Sequence, residues 1–144
     1  MGNKNWKNIA YTGDFGGTKS TIFEEKIPFN NLESKVRFSL KHCSTSNFCI
    51  RSLNNVEING LYKRLGYFEE LTWQQVGQIP RDKGFSIEAK ESQNHKELVG
   101  VMPEFGTFLH FRVNGSDNPF RVFGARKDDL VYIAWFDKDG TINH

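Results

Sequence analysis

His110, Arg112 and Arg121, with Arg126, Lys127 and Tyr132 close behind, are the residues of this 144-residue chain whose types and spacing suit chemistry on a phosphate. They fall within residues 107–137, where TFLHFRV, PFRVFGARK and DLVYIAWFD follow one another with short polar breaks. A guanidinium stays charged, grips a phosphate bidentately and can stabilise the charge that builds on its oxygens in a transition state. Arg112 and Arg121 are therefore candidate catalytic cations. An imidazole titrates near working pH, which makes His110 a candidate general acid or base. Arg126 and Lys127 add charge nearby, and Tyr132 combines packing with a reactive hydroxyl. Each has an ordinary alternative: the arginines can pair with Asp117, Asp128, Asp129 or Glu104 to secure a sheet edge, and His110 can be a solvent-facing strand histidine.

The elements that must position these groups are three strands of an antiparallel meander. In the first, Leu109, Phe111 and Val113 alternate with His110 and Arg112, so one face enters a core while the imidazole and guanidinium share the other. The second strand repeats the device with Arg121. Phe111, Phe120, Phe123, Trp135 and Phe136 alternate as buried strand residues should, with base stacking as the alternative use of such rings.

Upstream the period changes. Val56, Leu61, Leu65, Phe68 and Leu71 recur near helical spacing behind Asn54 and Asn55, which predicts a helix over about 55–70, with Gly66 as a possible break. Thr72 followed by Gln75 is a capping-box pattern, and TWQQVGQI then forms a short second helix stopped by Pro80. Earlier still, residues 20–29, 34–43 and 47–53 read as strands, the second with Val36, Phe38 and Leu40 alternating with polar residues. Residues 1–19 read as an arm or irregular segment ahead of a single domain over 20–144. Residues 81–105 contain one strand, over 85–89, and then a polar stretch in which Lys90, His95 and Lys96 form a solvated charge run or contact a polyanion.

Composition bounds these readings. The chain is 38% hydrophobic and carries 13 Phe, 4 Tyr and 3 Trp, enough for one core. Its 19 basic and 17 acidic residues leave a net charge of +2, so any contact with nucleic acid must come from local clustering. No apolar run is long enough for a membrane span or a signal peptide, and Trp6 stands where an acylation signal needs Ser or Thr, so a cytoplasmic protein without membrane association is expected. Cys43 and Cys49 then read as reduced thiols, and with His42, His95, His110 and His144 they form no familiar metal-ligand spacing. No metal and no cofactor are expected.

The stretch FLHFRVNGSDNPFRVFGARKDDLVYIAWFDKDG has one arginine ending a strand, a polar turn, an aromatic-Arg-Val run opening the next strand, and a hydrophobic strand closing the sheet. With the helical hairpin before it, the span 36–144 resembles the RelE/ParE superfamily of small toxins. The resemblance implies an α+β domain with a helical hairpin packed on an antiparallel β-sheet. It also implies ribosome-associated endonucleolytic cleavage of messenger RNA, in which basic residues on the sheet hold the RNA backbone while a 2′-hydroxyl attacks the adjacent phosphate. Arg112 and Arg121 match the two strand arginines, Arg126, Lys127 and Tyr132 become RNA contacts, and an antitoxin protein is the expected partner. The chain departs from the pattern at its end, DKDGTINH, where the RelE branch often has a tyrosine. The ParE branch acts on DNA gyrase instead. The alternative class is a non-enzymatic regulator or phage-encoded inhibitor that engages a protein partner through the sheet and the aromatic arm.

Overall fold

Helix signals written into the sequence close first. In the computed structural model, which describes residues 32–89, 98, 100, 102–115 and 117–142, helix α1 spans Asn55–Glu69 and α2 spans Trp73–Gly77. At the start of α1 the Glu57 amide donates to Asn54 Oδ1 at 2.8 Å while the Asn54 amide donates to Glu57 Oε1 at 2.8 Å, which satisfies two backbone donors at once. Thr72 and Gln75 repeat the reciprocal pair at 3.1 and 2.9 Å. Gly66 does not break α1, because Leu61 and Phe68 on either side of it are anchored in the core. Val56, counted with the apolar face by its spacing, is 79% exposed.

Strands β1 (Arg37–Ser39), β2 (Ser86–Ala89), β3 (Thr107–Arg112), β4 (Arg121–Lys127) and β5 (Leu130–Asp137) form one sheet in the order β1-β5-β4-β3-β2. The last three are the expected meander, β2 pairs antiparallel with β3, and β1 lies parallel to β5 with Arg37 opposite Leu130. Among the described residues the chain is thus α+β, with a five-stranded, mostly antiparallel sheet and the helices α1 and α2. The strand expected over 34–43 shrinks to β1: Val36 and Phe38 pack inward, but a turn in which the Cys43 amide donates to the Leu40 carbonyl leaves Leu40 62% exposed. The strand expected over 47–53 is replaced by a 3-10 turn at Ile50–Ser52. Phe48, just before it, sits at φ 57°, a left-handed conformation that no strand accommodates. This segment still covers the flank of β5, since the Ser44 amide donates to Ala134 and the Phe136 amide to Phe48, both at 2.8 Å. The arm at 1–19, the strand at 20–29, Lys90, His95, Lys96 and His144 lie outside the described residues.

The sheet is covered on both faces. Leu109, Phe111, Phe120, Val122, Val131, Ile133 and Phe136 point to the helices, where they join Leu61, Phe68, Trp73, Val76 and Phe85. Phe108, Phe123, Ala125, Ala134 and Trp135 point the other way, under Leu98, Met102 and Phe105. Between β4 and β5 the register slips, with Phe123 opposite Trp135 but Gly124 opposite Ile133. Ala134 is the extra residue of that bulge, so Ala134 and Trp135 both join the second core. Gly124 makes the slip possible: a Cβ there would lie 2.3 Å from the Tyr132 carbonyl oxygen. Among the described residues no helix is long and apolar enough to cross a membrane.

Candidate functional site

Alternation along β3 and β4 sorts the candidate residues by face. Arg112 and Arg121 are direct cross-strand partners, His110 lies opposite Phe123, and all four belong to the sheet face away from the helices. Asp137 completes the row as Arg121's partner on β5. Arg126, five residues beyond Arg121, falls on the helix side.

The two faces treat their arginines differently. Arg126 is 5% exposed, its guanidinium carbon 4.5 Å from the centre of the Trp73 ring, and burial lowers its pKa to about 9. The position expected to contact RNA is a packed core cation. Arg121 is half-buried. Its Nη1 donates to the Pro119 carbonyl at 3.1 Å, while its Nε is buried with no hydrogen-bond partner among the described residues. Desolvation and the neighbouring Arg112 charge lower its pKa, with Asp137 acting against them. Asp137 is already engaged: its carboxylate, 1% exposed, accepts from the Thr141 amide and hydroxyl and from the Ile142 amide. None of the acids proposed from sequence as a partner for Arg121 takes the place that Asp137 occupies. Two like charges facing each other across a ladder are unfavourable until an anion lies between them.

Beside this pair a cleft of about 430 Å³ opens at the β2–β3 margin, lined by Arg81, Asp82, Ser86, Glu88, His110, Phe111 and Arg112. The antiparallel register accounts for its composition, because Ser86 lies opposite His110 and Glu88 opposite Phe108. Hence the polar positions of β2 and β3 share one face. His110 is 9% exposed, its ring 5.1 Å from that of Phe123 at 30°, so it is a wall of the cleft rather than a solvent-facing strand residue. Glu88 Oε1 is buried and has no hydrogen-bond partner among the described residues. The cleft therefore gathers Arg81 and Arg112, an imidazole and the side chains of Asp82 and Glu88 around one concavity.

The remaining candidates lie elsewhere. Lys127 is exposed at the end of β4, beside the turn into β5. Tyr132 packs at the far end of the second core, 5.3 Å from the His42 ring and 5.2 Å from Phe105. The structure thus unites His110, Arg112 and Arg121 and separates Arg126, Lys127 and Tyr132 from them. Four cleft residues escaped the reading of the sequence: Arg81, Asp82, Ser86 and Glu88. Two had left a signal, since Ser86 and Glu88 alternate with Phe85 and Ile87 just as His110 and Arg112 alternate with Leu109 and Phe111.

Arg64 on α1 fixes this end of the sheet. Its Nε donates to the Arg112 carbonyl at 3.1 Å, its Nη2 donates to the Lys83 carbonyl, and its guanidinium stacks on Phe68 and Tyr67 at 4.8 and 5.0 Å. One helical arginine thereby ties the end of β3 to the loop that carries Arg81 and Asp82. Among the described residues no three His, Cys, Asp or Glu side chains converge as a metal site would require. No family model, no curated protein and no solved structure matches the chain.

Proposed function

We propose that the protein is a RelE-like toxin that cleaves messenger RNA on the ribosome and is held in check by an antitoxin. The observation that carries this reading is the cross-strand pairing of Arg112 with Arg121, with Arg112 lining the same cleft as His110. The order of elements, a helical hairpin followed by an antiparallel meander, also supports it. In this chemistry the two guanidiniums hold the scissile phosphate and stabilise the charge gathered on its oxygens. The 2′-oxygen bonds to phosphorus as its proton leaves, and the bond to the 5′-oxygen breaks as that oxygen gains one. In this reading His110 serves in one of those proton transfers.

The test is induced expression in a bacterial host of the wild type beside an Arg112→Ala/Arg121→Ala double variant, with growth and message integrity followed together. The reading expects arrest with cleaved messages in the wild type alone, and a folded double variant by circular dichroism. Normal growth with intact RNA in both would overturn it. A non-enzymatic protein-binding role is favoured instead by the solvent face of α1, where Val56, Tyr62 and Tyr67 are 79%, 63% and 42% exposed. That face, rather than the doubly covered sheet, would then take the partner.

A further inference from the structure

Residues 44–48 take the place of a single residue beside β5. In β1 the Arg37 amide donates at 3.2 Å to the Asp129 carbonyl, one residue before its ladder partner Leu130. The same parallel pattern resumes beside Trp135, but two residues share it: the Ser44 amide donates to the Ala134 carbonyl and the Phe136 amide donates to the Phe48 carbonyl, both at 2.8 Å. Ser44 and Phe48 thus supply the N–H and C=O that one ladder residue would supply. The loop between them closes on itself, with Arg51 Nη2 donating to the Thr45 carbonyl at 2.7 Å. Cys43 and Cys49 then stand where the residues before and after that ladder position would. Two strand rises put their Cα atoms roughly 6.6 Å apart, and residues two apart on a strand point to one face. The packing agrees, since Phe48 lies 5.6 Å from the Trp135 ring in the second core whereas Cys43 packs against the helix-side core. A disulfide spans Cα atoms up to about 6.8 Å apart, so this pair sits at the long end of what a bridge can reach.

We infer that Cys43 and Cys49 form a redox-sensitive modification site, at which hydrogen peroxide closes a disulfide across the 44–48 loop. Both are free thiols in the reduced chain. The Arg51 backbone amide holds the Cys49 thiol below its ordinary pKa against the opposing effect of burial, and the Arg51 guanidinium adds to it. Thiolate is the form that attacks. Cys49 is only 6% exposed, which suits a small oxidant. Its sulfur bonds to one oxygen of peroxide as the O–O bond breaks, giving a sulfenic acid and hydroxide. The Cys43 sulfur then bonds to the Cys49 sulfur, the S–O bond breaks, and the departing hydroxyl leaves as water with the Cys43 proton. Two electrons have passed from the two thiols to peroxide. Burial keeps Cys43 protonated, so it reacts with a partner held beside it rather than with solution oxidants. A bridge at the long end of its reach is strained, and strained disulfides are the readily reduced ones, which makes the step reversible. The pair flanks β5, across the sheet from the cleft at the β2–β3 margin.

Peptide mapping tests it. The purified, reduced full chain is treated with hydrogen peroxide, quenched with catalase, alkylated with iodoacetamide in urea and cut with trypsin, which releases both cysteines on one peptide, residues 42–51. The wild type is expected to lose both alkylatable thiols together, giving a peptide two hydrogens lighter than the dithiol form, and dithiothreitol should restore them. With dimedone present during oxidation, Cys43→Ser should be captured at Cys49 as the sulfenic acid, while Cys49→Ser should keep Cys43 fully alkylatable. Oxidising the wild type in urea separates the fold from mere nearness in sequence. The bridge should close about tenfold more slowly there, because neither Arg51 nor the ladder holds the thiols. A wild type that keeps both thiols, that accumulates sulfenic acid as Cys43→Ser does, or that closes the bridge as fast in urea would overturn the inference.

Discussion

Arg121 and Arg126 sit on the same strand five residues apart, and the odd interval sends them to opposite faces of the sheet. On the helix side, Arg126 lies over Trp73, a member of the larger core. On the other side, Arg121 keeps a buried Nε without a hydrogen-bond partner among the described residues and faces a second arginine. The helix face invests its polar groups in packing. The far face sets its arginine opposite a second one, and that second arginine lines a cleft with His110.

The contrast is broken most severely by emptying the helix-side core. Phe68 is fully buried and its ring lies within 6.5 Å of those of Phe38, Tyr67, Phe85 and Phe111. It also carries the Arg64 guanidinium. Phe68→Ala is expected to cost about 3–5 kcal/mol in urea unfolding. A loss under about 1 kcal/mol would mean that α1 is not the element the sheet is built upon.

Much of that helix-side architecture was legible in the sequence, because its signals are local. The reciprocal caps at Asn54/Glu57 and Thr72/Gln75 need only a three-residue spacing, and Leu109, Phe111 and Val113 declare their face by alternation. The far face was harder to read. Phe108 and Phe123 on it are as apolar as their neighbours across the sheet, so alternation alone does not reveal a second core. The parallel pairing of β1 with β5 joins residues more than ninety positions apart and carries no local mark. Of the candidate site, the arginine pair and His110 were legible from period two. Arg81 and Asp82 were not, since a loop reaches the cleft only through the tertiary fold that Arg64 helps to fix.

A narrower comparison replaces each arginine in turn. Arg126→Ala removes a buried stem stacked on an indole and is expected to cost about 2 kcal/mol. Arg121→Ala should cost less than about 1 kcal/mol, because the removed charge was repelled by Arg112 as well as attracted by Asp137. Inorganic phosphate sharpens the result, since a ligand that binds only the folded state raises the melting temperature. That rise should persist in Arg126→Ala and vanish in Arg121→Ala. Equal loss of stability, with the phosphate response kept in both, would make Arg121 another packing residue.

The smallest effect concerns a thiol at the margin of the helix-side core. Cys43 packs against that cluster, and burial pushes its pKa up from 9.0 to about 11. A thiol whose folded pKa lies above its unfolded value stabilises the fold while both states keep the proton. As pH rises from about 9 to about 11 the unfolded chain ionises and the folded chain does not, so stability falls across that window. Solvent around this half-exposed group limits the loss to less than about 1 kcal/mol. Reactivity reads the same shift more sensitively. In a Cys49→Ser variant, alkylation of Cys43 by iodoacetamide at pH 8 should run on the order of 100-fold below that of a free thiol, because only the thiolate attacks. Its rate should keep rising tenfold per pH unit beyond pH 9, and a plateau near pH 9 would show a solvated thiol outside the core that α1 and β1 enclose.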